Sequence, residues 1–384
     1  MIDEQAAGGK AIGYGLIGAG SFGQFACTKY QELDAVRPIA LADENREAAD
    51  RAAASLGIEA SESVDALLAR DDIDLVHIAT PPFTHRELVT RALEAGKHVL
   101  CEKPLATSLA DAEMMIDLAE SKGRILSVNL IMRYDPLCET MKRIIESKLL
   151  GEPVHGFFEN YAKDEPLPPE HWFWKQNLSG GIFIEHGVHF FDLFQWWLGE
   201  PEIVAAQQIK RGGADLIEQV QATARYGEGV LVNFYHGFTQ ATRMDRQEMR
   251  LVFERGAISL DEWVPTSMTI DCIATRDQVD AMAAMLPDCQ IENVASYTGE
   301  DRKVTSRHKS YEVDGHYRLY GTTGMTKDEL YGHVLQQLLL DQIQAINDSS
   351  HQRRVSERNG YGSLHAAVTA EQLSRHAVPM SSER

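Results

Sequence analysis

The chain has 384 residues, of which 44% are hydrophobic and 24% charged, and a formal net charge of −20. This length exceeds what one ordinary hydrophobic core accommodates, so two domains are expected, and the composition is typical of a soluble globular protein. The negative charge argues against nucleic-acid and anionic-membrane partners, which select clustered Lys and Arg, and no apolar run in the sequence is long enough to span a bilayer.

The cysteines and the first residues indicate where the protein works. The cysteines are odd in number and show no CxxC spacing, which is typical of reduced thiols and not of a disulfide framework or a zinc site. The opening MIDEQAAGGKA has neither the basic nor the apolar segment of an export signal. We therefore expect a cytoplasmic protein. The five cysteines are Cys27, Cys101, Cys138, Cys272 and Cys289.

Strands and helices alternate along the first third of the chain. Strands are predicted in AIGYGLIG, RPIALA, IDLVHIA, HVLC and RILSV, and helices in 22–30, REAADRAAASL, HRELVTRALEA and SLADAEMMIDLAESK. Ser108 is placed to cap the last of these helices, and Gly123 is placed to end it. Short apolar strands separated by helices predict a parallel sheet with helices on both faces.

The pattern changes near residue 150. After a helix predicted over 138–150, long runs of strand-forming residues appear, among them VHGFFENYA, EIVAAQQIKR, VQATARYGEGVLVNFYHGF and MRLVFERGAISL. The YGEG turn indicates a hairpin, and residues 296–310 are predicted to form a loop or an inserted hairpin. Two helices are predicted in TKDELYGHVLQQLLLDQIQAIND and GSLHAAVTAEQLSRH. These patterns predict an antiparallel sheet in a second domain.

Gly18, Gly20 and Gly23 form a GxGxxG motif between the first strand and the first helix. The first glycine permits a tight turn, the second lets the backbone approach a pyrophosphate, and the third lets the helix pack closely on the strand, with the helix N-terminus facing the phosphates. Asp43 follows 20 residues after Gly23, where a carboxylate can bind a ribose 2′-hydroxyl. Together these residues predict a dinucleotide site. The same loop also contains Ala19, Ser21 and Phe22.

Asp43 also bears on which dinucleotide is bound. Its carboxylate would repel a 2′-phosphate, which favours NAD over NADP. Arg46 lies three residues further on and could hold that phosphate, so NADP stays open. The alternative role of Arg46 is a surface charge at the start of a helix.

Lys103 lies in the segment CEKP, at the carboxyl end of a predicted strand. Ligands bind at this end of open α/β sheets, and an ammonium in a partly dry site can share a proton with a substrate hydroxyl. Glu102 beside it is equally suited to a structural salt bridge. Pro104 restricts the local backbone, and the Lys103–Pro104 bond can be cis.

The segment GGIFIEHGVHFFD, residues 180–192, is apolar on almost every side, yet it contains Glu185, His186, His189 and Asp192. On the buried helix predicted here, Glu185 and His189 are four residues apart and share one face, with Asp192 close to it. These side chains either form a structural network or present His189 as a general base oriented by a carboxylate. A shared metal ion is a third option, but the sequence shows no further ligand.

These motifs, together with ATPP (residues 79–82) and NLIMRYDP (residues 129–136), follow one another as in the Gfo/Idh/MocA oxidoreductases, and the chain resembles that family over nearly its whole length. The resemblance implies an N-terminal Rossmann dinucleotide-binding domain, residues 1–136. It implies a C-terminal α+β domain with an open, mostly antiparallel sheet, residues 137–384. It also implies a homodimer or homotetramer, commonly formed through the exposed face of that sheet.

The resemblance further implies roles for individual residues. Lys103 matches the lysine that touches the reacting oxygen, and His189 matches the histidine assigned as acid/base. Glu185 occupies a position that is most often Asp, so its longer side chain is a departure from the family pattern. Further cofactor contacts are implied for Thr80, Pro81, His85, Glu102 and Lys103. The candidate substrate contacts are Arg133, Tyr161, Trp172 and His186, of which the aromatic residues could stack on a sugar ring or simply pack in the core.

The expected activity is hydride transfer between NAD, or NADP, and a sugar, cyclitol or related polyol. His189 would take the hydroxyl proton while Lys103 stabilises the developing alkoxide. Two alternatives stay open: a regulator that senses NAD without catalysis, and an NAD-dependent hydrolase or lyase that oxidises a sugar transiently. No metal ion is expected.

Overall fold

The computed structural model describes residues 11–164, 167–213 and 216–376 and divides into two compact units. The first unit comprises the residues up to Tyr134 together with residues 170–192 and 331–368. The second unit comprises the remaining residues. The first boundary therefore lies close to the expected one at residue 136. The added segments come from the part of the chain that the sequence assigns to the second domain, because a hydrophobic pattern does not show which element covers an apolar face.

The first unit is built on a parallel sheet of six strands. In chain order these are β1 (Ile12–Ile17), β2 (Val36–Ala42), β3 (Glu59–Ala60), β4 (Leu75–Ile78), β5 (His98–Cys101) and β6 (Leu126–Val128). They lie in the order β3-β2-β1-β4-β5-β6, and every pair is parallel. Strands β1, β4 and β6 are buried throughout, as expected when helices cover both faces.

The helices include those predicted from the sequence. No helix among the described residues is long and apolar enough to cross a membrane. The Ser108 side chain accepts a hydrogen bond from the Asp111 N–H, and Gly123 ends that helix with φ of 60°, as predicted. In chain order they are α1 (Ser21–Tyr30), α2 (Arg46–Leu56), α3 (Val64–Leu68), α4 (His85–Glu94), α5 (Leu109–Lys122), α6 (Pro136–Ser147), α7 (Gln176–Ser179), α8 (Val188–Leu198), α9 (Arg276–Ala283), α10 (Lys327–Asn347) and α11 (Glu357–His376).

The second unit contains a nine-stranded sheet. Its members are β7 (Pro153–Lys163), β8 (Pro201–Lys210), β9 (Ile217–Tyr226), β10 (Val230–Gln240), β11 (Arg246–Phe253), β12 (Gly256–Asp261), β13 (Ser267–Ala274), β14 (Gln290–Ser296) and β17 (Gly315–Thr322). Between β14 and β17 the chain forms a separate two-stranded hairpin of β15 (Lys303–Ser306) and β16 (Lys309–Glu312). The order is β14-β17-β13-β12-β11-β7-β10-β9-β8. The sheet is antiparallel except where β7 pairs with β10. The predicted YGEG hairpin joins β9 to β10.

Asp135 begins the second unit and caps α6. Its Oδ1 accepts hydrogen bonds from the N–H groups of Leu137 at 2.8 Å and Cys138 at 3.0 Å. The residue is only 1% exposed, and burial raises the pKa of its carboxyl to about 7, although the two N–H donors oppose the shift. The folded protein therefore holds a proton here that the unfolded chain releases in mild acid.

We expect the Asp135→Asn variant to gain stability relative to the wild type as the pH rises from about 4 to about 7. In this window the unfolded Asp135 ionises while the folded protein keeps its proton, so the wild type loses stability as the pH rises. The amide keeps a capping oxygen and does not titrate. Thermal unfolding of both proteins across this range measures the effect, and a Tm difference that is constant with pH would contradict the raised pKa.

Candidate active site

The glycine motif turns between β1 and α1, and each glycine has its own steric reason. Gly18 has φ of +111°, and a Cβ atom there would lie 2.3 Å from the Ala79 carbonyl oxygen. A Cβ atom on Gly23 would lie 2.9 Å from the Gly18 carbonyl oxygen. At Gly20, by contrast, a Cβ atom would meet nothing within 4 Å. The Gly20 backbone is therefore open to a ligand.

The N-terminus of α1 is suited to an anion. In the described part of the chain no side chain caps it, and its first turn contains no acidic residue, so its N–H groups and positive dipole end can face a phosphate. Asp43 lies beside the loop. Its Oδ2 accepts a hydrogen bond from the Ala19 N–H at 2.7 Å, and its Oδ1 accepts one from the Asn45 N–H at 2.8 Å. These bonds hold the carboxylate at the end of β2.

A cleft of about 500 Å³ lies beside the glycine loop. Its lining includes the carboxylates of Asp43, Glu44, Glu62 and Glu87 together with Arg91. The Arg91 guanidinium is already paired with two carboxylates, at 2.7 and 3.0 Å. The cleft is therefore electronegative and disfavours an additional phosphate.

Arg46, the candidate partner of an NADP 2′-phosphate, is directed to groups outside the cleft. It donates hydrogen bonds to the Asp50 carboxylate at 2.9 Å and to the Ser61 carbonyl oxygen at 3.3 Å, and it is not among the residues that line the cleft. The charges at this cleft suit a ribose hydroxyl better than a 2′-phosphate.

Thr80 and Pro81 line the same cleft. His85 is fully buried, and its ring nitrogens lie 2.8 Å from the Pro104 carbonyl oxygen and 2.9 Å from the Thr80 carbonyl oxygen. Burial lowers the pKa of this imidazole. His85 thus links the ATPP segment to the EKP segment through their backbones.

Lys103 lies just beyond β5, and its peptide bond to Pro104 is cis. The Lys103 ammonium donates hydrogen bonds to Glu185 Oε1 at 2.8 Å and to the Glu185 carbonyl oxygen at 2.7 Å. The two side chains are 18% and 13% exposed. Two residues singled out in distant parts of the sequence are therefore in direct contact in the first unit.

The segment that carries Glu185 is not a regular α-helix. Residues Phe183–Gly187 form a π-helical turn that runs directly into α8, and Gly199, with φ of 96°, follows the helix end. A π turn holds more residues than an α turn and occurs frequently at functional sites. The α-helical spacing assumed for Glu185 and His189 therefore needs correction, and nothing in the hydrophobic pattern indicated the wider turn.

Two imidazoles lie within the field of the Lys103 ammonium. Burial, followed by the Lys103 charge, lowers the pKa of His186 to about 3. The same causes, with a further contribution from His186, hold the pKa of His189 well below its usual range. Both rings are therefore neutral near pH 7. A neutral imidazole has a nitrogen that can accept a proton, while the same burial and charge disfavour the protonated form.

Arg133 and Asp192 form a buried pair. Arg133 Nε donates to Asp192 Oδ2 at 2.9 Å, and an Nη donates to Oδ1 at 2.7 Å. The side chains are 8% and 1% exposed. Burial raises the pKa of Asp192, and the Arg133 charge opposes the rise. The carboxylate expected beside His189 is therefore bound by a guanidinium, and Arg133, a candidate substrate contact, directs two of its donors to that carboxylate.

The aromatic candidates lie in different units. Trp172 belongs to the first unit, half-buried, with its ring 5.1 Å from that of His171. Tyr161 belongs to the second unit, where its hydroxyl donates to Glu159 at 2.8 Å and the Arg246 guanidinium lies 4.7 Å from its ring centre. In the described part of the chain, no group of three or more His, Cys, Asp or Glu side chains is arranged to hold a metal ion.

Sequence reasoning missed a set of polar contacts that ends at Glu102. His77 Nε2 lies 2.9 Å from Glu102 Oε1, and the Asn129 amide donates to the same oxygen at 2.8 Å. The sequence did contain an indication, because His77 stands in an otherwise apolar strand and a buried imidazole is costly without a partner.

Two family models match this chain. The model described as the oxidoreductase family with an NAD-binding Rossmann fold matches residues 12–130, and the GFO/IDH/MocA C-terminal domain matches residues 138–259. The chain belongs to the Gfo/Idh/MocA family. The NAD-binding Rossmann domain and the mostly antiparallel second sheet predicted from the sequence are both confirmed.

Three named proteins illustrate what the chain is similar to. The scyllo-inositol 2-dehydrogenase (NAD(+)) of Bacillus subtilis is 30% identical over 186 residues, 48% of this chain and 53% of that protein. The 2,7-anhydro-N-acetylneuraminate hydratase of Mediterraneibacter gnavus is 27% identical over 58% of each. The chain thus spans little more than half the length of these relatives. A levoglucosan dehydrogenase solved with NADH and L-sorbose has the same fold, with a TM-score of 0.75 at 21% identity over 96% of this chain and 97% of that one.

We expect the Asp192→Asn variant to lower the free energy of unfolding by roughly 3 kcal/mol, because it leaves a buried guanidinium without its counter-ion. The double variant Arg133→Met/Asp192→Leu removes both charges and should recover most of that loss. Urea unfolding of the three proteins tests this. If the Asp192→Asn variant unfolds at the same urea concentration as the wild type, the pair does not stabilise the fold.

Proposed function

We propose that the protein catalyses NAD-dependent hydride transfer at a CH–OH group of a sugar, cyclitol or related polyol. The observation that carries the proposal is the Lys103 ammonium, held by Glu185 at the carboxyl end of the Rossmann strands, with His189 close enough for that ammonium to lower its pKa. These observations support Lys103 as the hydrogen-bond donor and His189 as the proton acceptor at the sheet edge where ligands bind in this fold.

The residues present fit the cofactor. The Gly18–Gly23 loop and the open N-terminus of α1 would hold the pyrophosphate, and Asp43 would hold the adenosine ribose, with Thr80 and Pro81 beside it. Glu102 and Lys103 would face the nicotinamide end. When bound, NAD supplies the carbon that accepts the hydride.

The protein's own groups would handle the proton and the charge. In the oxidative direction, His189 accepts the proton of the substrate hydroxyl. Lys103 donates a hydrogen bond to the same oxygen and stabilises its negative charge while the adjacent C–H bond breaks and a carbonyl forms. Glu185 keeps the ammonium in position through its carboxylate and its carbonyl oxygen. In the reductive direction each proton moves the opposite way.

The substrate class rests on the relatives and on the surroundings of the site. One relative is named for scyllo-inositol, and the structure with the same fold was solved with L-sorbose. Trp172 and His186 are half-buried in the first unit, and Trp172 can stack on a sugar ring. We retain Arg133 and Tyr161 as weaker candidates for substrate contacts.

A second function shares the same residues. The relative from Mediterraneibacter gnavus is named as a hydratase, which favours a reaction that oxidises the sugar, changes it and reduces it again on one bound NAD. The two functions differ in one quantity. A dehydrogenase releases NADH in proportion to product, whereas a transient oxidation does not. The presence of both Lys103 and His189 favours catalysis over a purely NAD-sensing regulator, which needs no proton-transfer pair.

We further propose a cytoplasmic homodimer or homotetramer. The five cysteines are all free thiols, which suits a reducing compartment. On one face of the nine-stranded sheet, aromatic and aliphatic side chains remain partly or largely exposed, and such patches mark association surfaces. They include Phe157, Tyr161, Leu231 and Tyr235.

We expect the Lys103→Met variant to lower kcat at least about 100-fold, because it removes the donor that stabilises the developing alkoxide. Growth of the reduced-nicotinamide absorbance with NAD and a panel of polyols and sugars measures it. Lys97→Met is the matched control. Its ammonium likewise donates two hydrogen bonds, to the carbonyl oxygens of Arg70 at 2.6 Å and Ile73 at 2.9 Å. It lies at the amino end of β5, away from the proposed site, so the activity of this variant should persist. Equal losses in both variants would contradict a catalytic Lys103.

The cofactor preference yields a separate expectation. The Asp43→Ser variant should bind NAD about tenfold more weakly, because it loses the carboxylate that pairs with a ribose hydroxyl. The Arg46→Ala variant should leave the use of NAD and of NADP unchanged, since Arg46 is occupied by Asp50 and Ser61. Binding titrations with both cofactors measure this, and a selective loss of NADP binding in Arg46→Ala would restore the NADP assignment.

A further inference from the structure

A row of polar side chains crosses four adjacent strands of the parallel sheet; we call it the Tyr14 chain. The Tyr14 hydroxyl in β1 lies 2.8 Å from His77 Nδ1 in β4. His77 Nε2 lies 2.9 Å from Oε1 of Glu102, which directly follows β5. Asn129, directly after β6, donates to the same Glu102 oxygen at 2.8 Å.

The Tyr14 chain is buried in an otherwise apolar region. Tyr14 and His77 are 0% exposed, Asn129 is 2% exposed and Glu102 is 9% exposed. The rings of Phe22 and Tyr30 approach His77 at 6.4 and 5.9 Å. Replacing both partners of a buried hydrogen bond by apolar groups of similar shape is often nearly neutral for stability. Stability alone therefore does not explain a phenol and an imidazole placed in series behind a carboxylate.

The acceptor at Glu102 gives the Tyr14 chain a direction. A carboxylate oxygen accepts hydrogen bonds, so the contact with Glu102 Oε1 requires His77 to carry a proton on Nε2 and donate there. In that tautomer Nδ1 accepts a hydrogen bond from the Tyr14 hydroxyl, and burial, which raises the pKa of the phenol, keeps the Tyr14 proton in place. The far end is closed, because Tyr14 is fully buried. The row therefore does not conduct protons to solvent; it sets one tautomer of His77 and delivers one N–H to the carboxylate.

Glu102 stands at the edge of the sheet where ligands bind. Its Oε1 is held by His77 and Asn129, and its side chain keeps 11% of its surface exposed. Its Oε2 has no hydrogen-bond partner among the described residues and is not enclosed. One oxygen is thus fixed from inside the domain while the other remains for a ligand.

We propose that Tyr14 and His77 are positioning residues of the NAD site, which hold the Glu102 carboxylate in one orientation for the bound cofactor. This inference rests on the proposed function, in which Glu102 faces the nicotinamide end of NAD. Neither residue touches the ligand. Both act through Glu102, by way of hydrogen bonds that cross the sheet beneath it.

Tyr30 provides a matched control for Tyr14. Both tyrosines are 0% exposed, and their rings pack edge to face with centroids 5.6 Å apart. The Tyr30 hydroxyl, however, has no hydrogen-bond partner among the described residues. The Tyr14→Phe and Tyr30→Phe variants thus remove the same atom from neighbouring positions in the same core, and only the first breaks the row that leads to Glu102.

The test measures NADH affinity by cofactor fluorescence, with thermal unfolding as a check of the fold. Tyr14→Phe should weaken NADH binding about fivefold, the size of one lost hydrogen bond, and Tyr30→Phe should bind as the wild type does. His77→Gln, which can still donate an N–H to Glu102, should retain more affinity than His77→Leu. Equal affinities in the two Phe variants would overturn the inference while leaving the proposed function intact, whereas a wild type that binds no NADH would overturn both.

A spectroscopic measurement tests the direction of the hydrogen bonds without any cofactor. In protein labelled with ¹⁵N-histidine, the His77 signals are those that vanish in His77→Gln. They should show a protonated Nε2 and an Nδ1 that accepts a hydrogen bond, and the Nδ1 shift should change in Tyr14→Phe but not in Tyr30→Phe. A His77 ring protonated on Nδ1 alone would overturn the assigned role.

Discussion

An ammonium at the partly dry edge of a sheet needs hydrogen-bond acceptors, and the fold supplies those of Lys103 from Glu185, 82 residues further along the chain. This requirement explains why one later segment of the chain belongs to the first unit. Residues 1–134 provide the six-stranded sheet and Lys103, but not its partner. The return of residues 170–192 to this unit brings the Glu185 carboxylate and carbonyl oxygen to the lysine, and with them the two histidines.

Charge in the first unit is distributed by depth. The cleft beside the glycine loop is lined by four carboxylates, which makes its surface negative where a ribose would bind. Further in, two largely buried ion pairs lie among the described residues: Lys103 with Glu185, and Arg133 with Asp192. The imidazoles beside the ammonium are kept neutral by burial and by its charge. The Lys103 ammonium therefore has two neutral imidazoles near it as well as the Glu185 carboxylate, and such a cation suits a reaction that develops negative charge on an oxygen.

Local sequence determines the features that could be predicted. Strand and helix alternation, the Ser108 cap and the Gly123 stop all depend on a few neighbouring residues, and the structure contains them. The partners of charged groups could not be predicted in this way. Asp192 was placed beside His189 by helical spacing, yet its carboxylate is bound by Arg133, 59 residues away in sequence. Likewise, Tyr14 and His77 are 63 residues apart, and only the pairing of β1 with β4 makes them neighbours.

The π turn at Phe183–Gly187 allows the two ends of one continuous helical segment to point their side chains in independently set directions. Downstream of it, Phe190 and Phe191 must keep their buried orientation; upstream, Glu185 must face Lys103. Each residue of an α-helix advances the direction of its side chain by about 100°, so deleting a single residue within the turn would restore regular winding and rotate Glu185 away from the lysine while the phenylalanines stayed in register. Chain length in this turn is therefore constrained in addition to side-chain identity, because Glu185 reaches Lys103 only when the number of residues between the glycine pair and the buried phenylalanines is kept.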